Sequence, residues 1–390
     1  MDFELWFLVV VPLMFASGWW LRGLDIRQMK RETQGIDDHY FKGLSLLLSD
    51  EPDKAIDLFI EVVRLDPETI ELHHALGNLF RRRGQFDRAI RLHSYLANRA
   101  ELAPEERAKA LSELALDYLK AGTYDRAEAA YEALAGFKGR ENEAHKALMH
   151  IYCTEREWQK AVETAELLEA RGMNLSLEVS PYYCELALLA RQAKDADRAR
   201  EFVNRALAAE SSNPRALAMK ADLDLAAGKS AEALKDWDTI ESVKPAYVPL
   251  FAAKKADVIA ETDRNAALDY LKDVFARTGS VDVLTAAVAR MAGWCGEEPA
   301  ERFASEALRQ KPSLSALAVL SDLKSKTDPE NEQAKLLASI TARQSKQFAR
   351  YQCRNCGFLA HTFTWQCPGC ESWESFPPQR VEEGKKPSGY

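Results

Sequence analysis

One residue type returns along this chain at an interval that constrains the fold more than any other feature. Ala55, Ala89, Ala127, Ala161, Ala199, Ala233, Ala267, Ala300 and Ala334 follow one another at spacings of 34, 38, 34, 38, 34, 34, 33 and 34 residues. A period of this size marks a repeated unit that cannot bury its own apolar face and must stack on its neighbours. Twelve positions before the first two anchors stand Gly43 and Gly77, and Ala115, Ala187 and Ala221 hold the same place later. Small residues there let two helices approach closely. Seven positions after the anchors, Val62, Leu96, Leu134, Leu168, Ala206, Ile240, Val274 and Ala307 supply a packing stripe. Between the paired helices lie turn sequences such as Arg83-Gly84-Gln85, Ala121-Gly122-Thr123 and Ala227-Gly228-Lys229. Asp66-Pro67, Lys244-Pro245 and Lys311-Pro312 close units, because proline cannot continue a helix. A chain that is 47% hydrophobic and 29% charged, rich in Ala, Leu, Glu, Arg and Lys, agrees with helices and argues against a β-rich fold.

This pattern resembles the tetratricopeptide repeat, a two-helix hairpin of about 34 residues. The resemblance covers residues 39–345, with seven units well anchored and up to nine in all; those after Ala233 are degenerate. Stacked hairpins imply a superhelix whose concave face binds peptides or proteins. Tyr118, Tyr131, Tyr152 and Trp237 are expected to pack between helices; Tyr182 and Tyr183, after Pro181, are less decided. His73 and His74 are adjacent, so on a helix they point about 100° apart and are expected on the surface rather than at a shared ligand.

Four of the seven cysteines crowd near the end of the chain. Cys353 and Cys356 are two residues apart, as are Cys367 and Cys370, and ten residues separate the pairs. Each pair can form a tight turn aiming two sulfurs at one ion, and two turns close a tetrahedral thiolate site. Four thiolates leave no position for water, so the site is expected to be structural and His361 to lie outside it. Zinc is favoured in such a closed site, although sulfur softness and geometry admit iron. Short strands are expected around Tyr351-Gln352 and Phe358–Thr364, and the metal should supply much of the folding free energy of so small a module. Its many aromatic residues predict that it docks on the last repeats. Cys153, Cys184 and Cys295 are expected as small buried apolar side chains.

Leu5 to Leu21 carries no charge and is long enough for a short membrane span, with Trp6, Trp19 and Trp20 near its ends. Arg22, Arg27, Lys30 and Arg31 follow, which places the C-terminal side in the cytoplasm. The acidic start, Asp2 and Glu4, argues against a cleaved signal peptide. A net charge of -8 with no large basic block makes nucleic acid an unexpected partner. No nucleophile elbow, phosphate-cradling glycine loop or HExxH helix is present, so no enzymatic activity is expected.

The expected architecture is therefore all-α: a transmembrane helix (1–22), a cytoplasmic linker (23–38), the repeat array (39–345), a four-cysteine module (346–378) and a flexible tail (379–390). That order, with stretches such as Leu76-Gly77-Asn78-Leu79-Phe80-Arg81, Glu157-Trp158-Gln159-Lys160-Ala161 and Trp365-Gln366-Cys367-Pro368-Gly369-Cys370, resembles the lipopolysaccharide assembly protein B family of Gram-negative bacteria. The resemblance implies a single-pass inner-membrane adaptor with a periplasmic N-terminus and a cytoplasmic bulk. It implies partnership with a membrane AAA protease, whose degradation of the committed lipid A deacetylase the family promotes. It also implies links to the lipopolysaccharide synthesis and transport proteins of that membrane. The module would be rubredoxin-like, binding one metal ion through Cys353, Cys356, Cys367 and Cys370. A rubredoxin-like iron centre would also suit an electron-transfer protein, the alternative reading.

Overall fold

The computed structural model describes residues 52–65, 70–347 and 351–383, together with Met14, Ser17, Arg22, Lys42, Gly43, Ser45 and Leu46. Almost all of the predicted span Leu5–Leu21, and the linker after it, lie outside the described residues. Among the described residues no helix is long and apolar enough to cross a membrane. The chain divides into two compact units, residues 1–173 and 174–390.

The first unit contains α1 (Pro52–Leu65) and three helical hairpins: α2 (Ile70–Arg82) with α3 (Phe86–Ala97), α4 (Pro104–Lys120) with α5 (Tyr124–Ala135), and α6 (Glu141–Glu155) with α7 (Trp158–Glu169). The anchors Ala55, Ala89, Ala127 and Ala161 are all fully buried, as are Leu96, Leu134 and Leu168 of the stripe. Close approach at the helix crossings explains the glycines. A Cβ on Gly43 would lie 2.5 Å from the Phe59 ring, and one on Gly77 would lie 2.5 Å from the His93 imidazole. His93 cannot step aside, because it is fully buried and its Nδ1 lies 2.5 Å from Oδ2 of buried Asp117. Arg81 binds the other oxygen of Asp117 at 2.9 Å and Glu113 at 2.6 Å.

His73 and His74 are buried, against the surface placement expected for them. The 100° between them sends each into a different interior contact. His73 stacks on Tyr95 with ring centroids 5.5 Å apart, and the His74 ring lies 5.6 Å from that of His93. Burial, followed by the positive charge of Lys109, drives the His74 pKa down to about 4.

The second unit stacks five more hairpins: α8 (Ser176–Gln192) with α9 (Ala196–Ala209), α10 (Pro214–Ala226) with α11 (Ser230–Val243), α12 (Ala252–Ala260) with α13 (Arg264–Thr278), α14 (Val281–Cys295) with α15 (Glu297–Gln310), and α16 (Leu314–Thr327) with α17 (Glu332–Gln347). A 3-10 turn, Pro245–Leu250, precedes α12. Ala199, Ala233, Ala267 and Ala300 are buried like their counterparts, whereas Ala334 on the last helix is half-buried. Ion pairs tie the first helices of successive hairpins together: Lys254 to Asp222 at 2.7 Å and Arg290 to Asp257 at 2.6 Å. Trp237 is fully buried and stacks on Phe251 with centroids 6.0 Å apart.

Turn chemistry follows the glycines where they occur. Gly84, Gly122 and Gly228 take φ of 71°, 74° and 74°, and the next N–H reaches back into the preceding helix. Arg156 and Lys194 take φ of 61° at the same place in their hairpins without being glycine. They bear the left-handed cost that glycine avoids.

Candidate metal centre

The four cysteines come together on two knuckles of the same construction. In the first, the Asn355 N–H points at Cys353 Sγ (3.4 Å) and the Gly357 N–H at the Cys353 carbonyl (3.0 Å). In the second, the Gly369 N–H points at Cys367 Sγ (3.4 Å) and the Glu371 N–H at the Cys367 carbonyl (2.8 Å). The residue after each pair turns left-handed: Gly357 at φ 77° and Glu371 at φ 58°. A two-stranded antiparallel ladder, β1 (Tyr351–Gln352) with β2 (Leu359–Ala360), carries the first knuckle. The second strand is shorter than the Phe358–Thr364 segment expected, since Phe363 leaves the ladder to pack edge-on against Trp365 (5.0 Å) and Tyr351 (5.9 Å).

All four Sγ atoms lie within 4.8 Å of one another, with Cys356 to Cys367 at 3.6 Å and Cys353 to Cys370 at 3.8 Å. A tetrahedral ion with metal–sulfur bonds of about 2.3 Å separates its sulfurs by about 3.8 Å, so the cluster fits one ion. The surroundings favour the thiolate at Cys353 and Cys370. The Ser375 hydroxyl lies 3.3 Å from Cys353 Sγ, and Asn355 donates an amide N–H to Cys370 Sγ at 3.4 Å. Hydrogen bonding from Ser372, through side chain and backbone, and from Asn355 brings the Cys370 thiol down to about 6. His361 is exposed and is not among the clustered ligands. Elsewhere, Cys153 and Cys184 are buried, and burial pushes the Cys184 thiol up to about 12. Cys295, expected to be buried, is exposed because it closes α14 at the Gly296 break.

The module is seated on the second unit, chiefly on its earlier hairpins rather than on the last repeats as expected, although Tyr351 also reaches α14 of the next-to-last hairpin. Trp365 stacks on Tyr247 of the 3-10 turn, with centroids 5.4 Å apart and planes within 8°. Trp373 meets Tyr182 of α8 edge-on at 6.3 Å. The Arg215 guanidinium of α10 lies 5.9 Å from the centroids of both Trp365 and Trp373, while its Nη1 binds Glu185 at 2.7 Å. Lys244 joins Glu374 (2.7 Å) and Glu210 (3.3 Å), and the Tyr247 hydroxyl donates to the Glu374 carbonyl at 3.2 Å. The reason lies in the side chains on offer. The middle hairpins present Tyr182, Arg215 and Tyr247, whereas α16 and α17 contain no aromatic residue.

Residues 379–383, read from sequence as the start of a flexible tail, extend this seat. Arg380 is buried and pairs with Asp282, which also accepts from the Tyr351 hydroxyl at 3.3 Å. Glu383 accepts the Val281 N–H at 2.6 Å, at the start of α14. It thereby caps a helix whose own N-cap residue, Ser280, makes no side-chain cap bond. These charged anchors escaped the sequence reading because nothing local distinguishes them from solvated charges.

Residues 351–378 match the rubredoxin metal binding domain, and residues 72–105 match the tetratricopeptide repeat. Over nearly the whole chain, 32% of residues are identical to lipopolysaccharide assembly protein B of Escherichia coli (strain K12), covering 98% of this chain and 99% of that protein. The chain belongs to the lipopolysaccharide assembly protein B family. The Haemophilus influenzae member is 29% identical over 97% of this chain and 99% of its own. A solved tetratricopeptide repeat protein from Parabacteroides merdae is 16% identical and covers 79% of this chain and 99% of that one, at a TM-score of 0.26, too low to carry an argument. Membership in the assembly protein B family accords with a helical repeat array that ends in a four-cysteine, rubredoxin-like metal site.

Proposed function

We propose that this chain is a non-enzymatic inner-membrane adaptor of lipopolysaccharide assembly. In this reading it brings the committed lipid A deacetylase to a membrane AAA protease and helps to coordinate the synthesis and transport proteins of that membrane. The observation that carries the proposal is the match to assembly protein B over 98% of the chain, which joins the repeats and the metal module in one order. Two structural facts support a scaffold. The second unit has a partly apolar cavity of about 620 Å³ between α14, α16 and α17, floored by Val288, Ala289 and Val319. The metal module, for its part, is fastened across several hairpins rather than left open to a substrate. Zinc held by Cys353, Cys356, Cys367 and Cys370 would supply a closed structural cross-link between the two knuckles. The hydrophobic segment Leu5–Leu21 would fix the adaptor at the membrane, with the domain order 1–22, 23–38, 39–345, 346–378 and 379–390 as read from sequence.

The test is the half-life of the deacetylase in cells that carry variants of this chain. Deleting Leu5–Leu21, or replacing Cys353 and Cys356 with serine, is expected to lengthen it. A span-deleted protein that regulates the deacetylase fully would refute membrane placement as part of the function. Metal analysis of the purified chain bears on the alternative: iron with a reversible potential would support electron transfer.

A further inference from the structure

We propose that the outer face of α17 is a self-association surface, on which a second copy of this chain lays its own α17 antiparallel. The helix ends the array: it packs on α16, and among the described residues no further α-helix follows it. An array of stacked hairpins ordinarily finishes with a polar outer face, because its last helix has no neighbour to cover it. Here Leu336 is 61% exposed, Leu337 46% and Ile340 42%. Helical spacing aligns Glu332, Leu336, Ile340 and Arg343 along one stripe, on the side opposite buried Thr341.

The charges on this stripe select the occupant. Glu332 stands at its N-terminal end and Arg343 towards its C-terminal end, both exposed. With a two-fold axis level with Ala338, Leu336 of one copy faces Ile340 of the partner subunit. The same axis brings Glu332 within one residue of level with Arg343 of the partner subunit, and symmetry repeats both contacts. Lys335 engages Oε1 of Glu332 at 2.8 Å, which leaves Oε2 to accept from the partner's Arg343. A parallel arrangement would place like charges together, so the pattern is self-complementary in one sense only. A lipid surface fits less well, because an interfacial helix borders its apolar face with cations and Glu332 lies in line with the leucine.

The experiment is sedimentation of the full chain in detergent micelles over a range of concentrations. The parent is expected to form a concentration-dependent dimer. Leu336→Asp should raise its dissociation constant roughly 30-fold, with an unchanged melting curve because the side chain is exposed. Glu332→Arg should weaken the dimer roughly tenfold, and Glu332→Arg combined with Arg343→Glu should restore it. A monomer at all concentrations would overturn the proposal. So would a dimer indifferent to Leu336→Asp, or a charge-reversed double variant no tighter than the single one. An effect of Leu336→Asp confined to attachment on anionic vesicles, with mass unchanged, would overturn it in favour of a lipid surface.

Discussion

Replacing Arg215 with alanine is expected to loosen a metal ion that the arginine does not touch. Its guanidinium lies 5.9 Å from the centroids of Trp365 and Trp373, and its side chain is 10% exposed. A partly desolvated cation–π contact contributes about 1 kcal/mol, so two contribute about 2 kcal/mol to docking of the module. The bond to Glu185 lies within the array and is present whether or not the module is seated, so it does not enter this difference. A module of this size depends on its metal to fold, and only the folded module can present both tryptophans. Docking and metal binding are therefore linked, and a loss of about 2 kcal/mol lowers apparent metal affinity by about 30-fold. Competition of the full-length protein with a chromogenic chelator at neutral pH measures this directly. Arg205→Ala, which removes an exposed arginine paired with Glu201, is the control and should change nothing. Arg215→Lys should fall between the two, because an ammonium keeps the charge and loses the stacking plane. If Arg215→Ala bound metal as tightly as the parent, the module would fold independently of its seat and the reasoning would fail.

Other consequences are as accessible. Lys194→Gly should stabilise the second unit by about 1 kcal/mol by relieving left-handed backbone, read as a higher melting temperature. The lowered pKa of His74 means that folding disfavours its charged form. Its contribution is present above the unfolded value of about 6.5 and is lost as pH falls towards about 4, amounting to about 2 kcal/mol between pH 7.5 and 5. Denaturant titration of the parent and of His74→Phe at both pH values should show that this part of the acid sensitivity disappears in the variant. Gly77→Ala should cost the first unit about 1–3 kcal/mol through the clash with His93, with part of that recovered when His93 is also made smaller. Chelating the metal should expose Trp365 and Trp373, shifting tryptophan fluorescence to the red and lowering the melting temperature of the second unit.

What could be read from sequence was whatever is set by contacts close along the chain. Alanine anchors, glycine crossings and the turns of each hairpin involve residues within one repeat, so their spacing survives in the linear pattern. The two cysteine knuckles are likewise local, and two pairs of sulfurs have few ways to meet. The seat of the module is different in kind. Lys244 and Glu374 are 130 residues apart, and Asp282 and Arg380 are 98 apart, with no periodicity to mark them. The burial of His73 and His74 was missed for a related reason. Adjacent side chains that diverge by about 100° can both be interior when helices pack on two sides, and that depends on neighbours supplied by the hairpin.

The cap that Glu383 places on α14 also sets an order of events during synthesis. The ribosome delivers Val281 long before Glu383, so a nascent chain holds the start of α14 open through the making of three later helices and the whole cysteine module. Any product cut short before Arg380 lacks both Glu383 at the Val281 N–H and the guanidinium for Asp282. The start of α14, in the next-to-last hairpin, thus takes its cap from a residue 102 positions further along the chain.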